Sequence, residues 1–111
     1  MEKLENKIEE NVEVAETTEN TLVLKKPVEI NGEVVKEIEY DLDALTGQDI
    51  ADTIKMLAKN GIVVVMSETD SNYHAGIFAT ASGLDYNDVK RLSAKDYNKA
   101  CNLVRDFFLE E

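Results

Sequence analysis

Two side chains stand out as a potential general base and a potential thiol nucleophile, His74 and Cys101. A catalytic base needs a nucleophile or an orienting group within reach. His74 has Asp70 nearby and no recognisable partner beyond it, and a lone histidine at a helix start reads as a capping or surface residue rather than a ligand or base. Cys101 lies inside an apolar stripe, where a thiol behaves as a small hydrophobe, whereas a reactive thiol needs exposed, electropositive surroundings. With one cysteine there is no internal disulfide and no multi-cysteine metal site.

The carboxylates allow one more test. Asp41, Asp43 and Asp52 fall at positions 1, 3 and 12 of an EF-hand calcium loop, but position 5 is Leu45 and the glycine comes one residue late, at Gly47. A helix start explains the same residues better: Thr46 stands three residues before Asp49 in the manner of a capping box. The pairs Glu37/Glu39 and Asp41/Asp43 alternate with apolar residues and read as the wet face of a strand. Gly61 and Gly83 stand alone, so there is no glycine-rich phosphate loop. The reading is a protein that binds rather than transforms, with no catalytic residues, no cofactor and no metal.

The elements that carry these residues fit one α+β domain. Its 111 residues, 43% of them hydrophobic, suffice for one modest core. A net charge of −11 argues against nucleic acid as a partner, because Lys and Arg supply the phosphate-neutralising part of that affinity. The longest apolar run, Ile62 to Met66, is five residues long, where a spanning helix needs roughly 20. With no signal peptide recognised, the expectation is a soluble, cytoplasmic protein outside the membrane.

From Leu22 to Gly47 two alternating segments flank Asn31-Gly32, which predicts a β-hairpin leading into the first helix. A two-residue loop mixes the faces. A three-residue loop, Ile30-Asn31-Gly32, sets Leu22 against Tyr40, Leu24 against Ile38 and Val28 against Val34, giving one apolar face, so that register is expected. It makes Lys26 and Lys36 neighbours, and with Pro27 this points to an edge or a bend there.

The first helix is expected to start at Thr46, carry Ile50, Ile54, Leu57 and Ala58 on one face, and stop at Asn60-Gly61. Ile62 to Met66 reads as a short buried strand or the start of a helix, with length favouring strand. A second, buried helix spans Tyr73 to Ser82, capped by Ser71 or Asn72 and ended by Gly83; a short helix starts at Asp85; the last runs from about Ala94 to Leu109 behind Ser93. Along the last helix Tyr97, Ala100, Cys101, Val104, Phe107 and Phe108 form the apolar stripe. The result is an N-terminal β-hairpin packed on three to four α-helices over residues 21–111.

Residues 1–20 hold seven glutamates and two lysines, a net charge of −5. They read as an acidic arm, disordered or partly helical, with Leu4, Ile8 and Val12 in a narrow stripe. Contact with a partner is assigned to apolar residues at element ends, Phe107, Phe108 and Leu109, and to Leu4 and Ile8 on the arm. Self-association is expected through the hairpin edge or the last helix.

The order of these pieces resembles that of the small phage tail assembly chaperones. The features are Leu22 to Pro27, Val28 to Gly32, Val34 to Tyr40 and Leu45-Thr46-Gly47-Gln48-Asp49, then Ala81 to Leu84, Arg91 to Asp96 and the closing Phe107-Phe108-Leu109. The resemblance covers roughly four fifths of the chain; residues 1–20 and 62–72 lie outside it. It implies a non-enzymatic helper made in the bacterial host cytoplasm from a phage or prophage, binding the tape measure protein until tail tube subunits assemble and absent from the finished tail. The other readings are a structural tail or connector protein that stays in the particle, and a small acidic regulatory binder of a basic partner.

Overall fold

The computed structural model describes residues 17–18 and 20–110. The chain forms β1 (Thr17–Thr18), β2 (Thr21–Ile30), β3 (Glu33–Glu39), a 3-10 turn (Leu42–Ala44), and helices α1 (Gly47–Lys59), α2 (Ser71–Ser82), α3 (Tyr86–Val89) and α4 (Ala94–Leu109). The architecture is α+β: an antiparallel hairpin, extended at one edge by β1, packed with four helices. Thr17 and Thr18, which fall within the acidic arm of the sequence reading, pair with Leu22 and Thr21; Leu4 and Ile8 lie outside the described residues.

The hairpin register differs from the expected one. Asn31 and Gly32 both have positive φ, 55° and 84°, which is the two-residue turn that Asn-Gly favours, so Ile30 pairs with Glu33, Glu29 with Val34 and Val28 with Val35. Beyond an irregularity the pairing becomes Val23 with Glu37, Leu22 with Ile38 and Thr21 with Glu39. Leu24, Lys25, Lys26 and Pro27 therefore stand opposite Lys36 alone. This slip restores an apolar face that the two-residue turn would otherwise scramble: Leu22, Leu24 and Ile38 are all buried. The bend expected at Pro27 is where the slip occurs.

What sustains the slip comes from the far end of the chain. Asp96, on the first turn of α4, is completely buried and accepts the backbone N–H of Lys25 at 3.0 Å and of Lys26 at 3.1 Å. Its Oδ2 also accepts from the Ser93 hydroxyl at 2.9 Å. Burial pushes its carboxyl pKa up, but the Lys25 and Lys26 N–H groups, the Ser93 hydroxyl and the Lys99 charge outweigh burial and hold it below the usual value. At the other end of β2, the Arg91 guanidinium donates to the Glu29 carbonyl and pairs with Asp88 at 2.8 Å.

The helix ends follow local chemistry. Thr46 and Asp49 form the expected capping box, Asp85 caps α3, and Ser93 caps α4 by accepting the Asp96 N–H. The α2 cap is Asp70, one residue before the expected pair, accepting from the N–H of Asn72 and Tyr73. Gly61 and Gly83 take the left-handed conformation at the ends of α1 and α2.

Helix α2 is the centre of the core, with every residue from Tyr73 to Ala79 buried. Its Gly76 faces α1 so closely that an added Cβ would lie 2.9 Å from Thr53 Cγ2. That approach rotates α1 from the expected face: Thr53 and Leu57 are buried, while Ile54 and Ala58 are exposed. The buried Thr53 hydroxyl bonds the Asp49 carbonyl and Thr80 Oγ1, so it enters the interface satisfied.

Ile62 to Met66 is neither strand nor helix. Ile62 and Val64 pack half-buried against the core, whereas Val63, Val65 and Met66 are 76%, 85% and 59% exposed. Among the described residues no strand is aligned with it, so β-branched composition alone does not make it a strand.

Candidate partner-binding surface

The surface at the C-terminal end of α4 is built by three elements. Helix α4 presents Arg105, Phe108 and Leu109; the first turn of α2 presents Tyr73 and His74; the connection into α2 presents Ser67 and Glu68. Together they line a recess of about 180 Å³, room for a side chain rather than a metabolite. The connection is folded back by the N–H groups of Thr69 and Asp70, which both donate to the Met66 carbonyl, and Asp70 then caps α2.

The aromatic pair is divided between core and surface. Phe107 packs half-buried on the core, Phe108 is 41% exposed and Leu109 is 64% exposed. Phe108 stacks edge-on against Phe107 at 5.3 Å between centroids and tilts toward Tyr73 at 6.3 Å. Such pairings hold Phe108 in place while leaving one side bare.

His74, expected at the surface or as a cap, is buried. Desolvation, and secondarily the Arg105 charge, push its pKa down, against the opposing effects of Asp70 and a hydrogen bond to the Ser67 backbone. A neutral imidazole thus floors the recess at physiological pH. Sequence reasoning missed this because residue type alone does not report burial; α2 being apolar on every side was the available signal.

Cys101 is buried, as expected of the α4 stripe, with its thiol directed to the Ser71 carbonyl. Burial pushes its pKa up to about 11, outweighing a hydrogen bond from Tyr97. Among the described residues no group of three or more His, Cys, Asp or Glu could hold a metal ion, and no helix is long and apolar enough to cross a membrane. Toward the C-terminal end of α2, α1, α2 and α3 frame an open groove of about 480 Å³ lined by Asp49, Asp52, Asp85 and polar neighbours such as Asn60 and Asn87.

No family model matches the chain, and no curated protein or solved structure matches it.

Proposed function

We propose that this protein is a phage or prophage tail assembly chaperone: a non-enzymatic helper in the host cytoplasm that binds the tape measure protein through apolar surface and leaves before the tail is finished. The observation that carries the proposal is the bare apolar end of α4, with Phe108 and Leu109 exposed around a recess, in a chain of net charge −11. Apolar side chains on a strongly acidic body suit a protein that covers hydrophobic stripes of a long helical client while repulsion keeps the complex dispersed. The resemblance in element order supplies the identity of the client.

A second reading, an acidic binder that blocks a basic partner, draws on the groove lined by Asp49, Asp52 and Asp85. Salt separates the two, since exposed charge pairs are screened and apolar contacts are not. Co-expression with the tape measure protein of the same phage is the test. A client made soluble only in the presence of this chain supports the proposal; a client equally insoluble with and without it refutes it. Recovery of the chain in purified virions would instead assign it to the particle as a structural protein.

A further inference from the structure

The segment Ile62–Met66 has the composition of a strand but pairs with none among the described residues, and its backbone bends at Val65. Burial alternates from Ile62 to Val65, with Ile62 and Val64 packed on the core and Val63 and Val65 turned outward, and Met66 is exposed as well. Among the described residues, the backbone N–H groups of Val63, Val64 and Val65 donate to no partner, whereas that of Ile62 donates to the Leu57 carbonyl. A β-branched run with open backbone groups and no proline is the template that proteins normally cover, because it pairs with whatever strand it meets.

We infer that Ile62–Met66 is a self-association strand that pairs antiparallel with the same segment of a second copy of this chain. Centred on Val64, that pairing is isologous: Val63 meets Val65 of the second copy and Ile62 meets Met66, so each exposed valine gains a β-branched cross-strand neighbour. Charge selects the same arrangement. The eight residues from Asn60 to Ser67 are uncharged, with Lys55 and Lys59 before them and Glu68 and Asp70 after. Antiparallel pairing brings the cationic end of each copy beside the anionic end of the other, whereas parallel pairing stacks like on like. Lys59 and Glu68 are exposed and make no ion pair among the described residues. The pairing strand itself does not line the recess at the Phe108 end of α4, although Glu68 does, and the dimer does not depend on the function proposed for that end.

A five-residue strand buries less than the ~1,200 Å² at the low end of stable interfaces, so the dimer is a concentration-dependent equilibrium. Sedimentation velocity over a concentration series tests it. The expected result is a monomer–dimer equilibrium that Val65→Lys moves to monomer, with an unchanged circular dichroism spectrum because Val65 is already exposed. Lys59→Glu and Glu68→Lys each weaken the dimer, on the order of threefold to tenfold for two lost pairs. The double variant Lys59→Glu/Glu68→Lys restores it, since the reversed charges again meet across the symmetric pair. Should Val65→Lys fail to fold, the charge series still decides. A wild-type chain that stays monomeric throughout overturns the inference, as does a dimer insensitive to all these changes or a double variant no stronger than the singles.

Discussion

Replacing Asp96 should loosen the hairpin from the helices more than any other single polar change. Its carboxylate accepts two backbone N–H groups from the irregular part of β2 and the Ser93 hydroxyl from its own helix cap. Hydrogen bonds to a charged group contribute about 1.5–3 kcal/mol each. Lys25 and Lys26 are themselves exposed residues, so the lower end applies to the two bonds that hold the hairpin, and Asp96→Ala should remove roughly 3 kcal/mol through those two alone, with Asp96→Asn losing about half as much. Against a total of about 5–15 kcal/mol for a small domain this is a large fraction. Urea unfolding followed by circular dichroism should show a lower midpoint at unchanged slope. The pH dependence is a second check. The folded pKa lies below the usual carboxylate value, so this stabilisation is fully present above about pH 3.9 and is lost as pH falls through the folded value. The gap between wild type and Asp96→Asn should therefore close in acid. A variant within about 0.5 kcal/mol of wild type at pH 7, or a gap that does not narrow at all as pH falls below about 3.9, would refute the role given to Asp96.

Gly76→Ala should destabilise by about 1–2 kcal/mol in spite of the better helix propensity of alanine, because Thr53 Cγ2 stands 2.9 Å from the new Cβ and its hydroxyl is fixed by two hydrogen bonds; a raised melting temperature would contradict the packing described. Asn31→Val should lose about 1–2 kcal/mol by forcing a β-branched residue into positive φ, measured by urea unfolding, whereas a three-residue loop that places only Gly32 there would leave stability nearly unchanged. Cys101, with its pKa raised to about 11, should resist a thiol-specific reagent at pH 8 and react fully in denaturant; rapid stoichiometric labelling of the native protein would place the thiol outside the core.

The parts of this fold that were legible in the sequence are those decided within a few residues. Thr46 with Asp49, Asp85, Ser93, Gly61 and Gly83 each act on backbone groups next to them, and the helices begin and end where those residues direct. The hairpin register was not legible, because Asp96, 71 positions beyond Lys25, satisfies the N–H groups that the slip takes out of the ladder. The face of α1 was misjudged for a similar reason: Gly76 on another helix admits Thr53 where the apolar pattern favoured Ile54. Ile62 to Met66 has the composition of a buried strand, yet pairing depends on a neighbour that the described fold does not supply. At the α4 end, the sequence located Phe107, Phe108 and Leu109 together; their division into one core ring and two exposed side chains follows from where Tyr73 and Ser67 are placed by the connection into α2.

The chaperone reading is tested most directly by capturing tape measure protein fragments, carried on a soluble fusion, with wild-type chain and with Phe108→Ser/Leu109→Ser, at low and at high salt. Both positions are exposed, so the variant should keep the wild-type fold, with a modestly lower melting temperature from the lost ring contacts of Phe108 to Phe107 and Tyr73. The account predicts a wild-type complex that survives high salt and is lost in the variant. Capture that disappears in high salt, or that the variant retains in full, would contradict it.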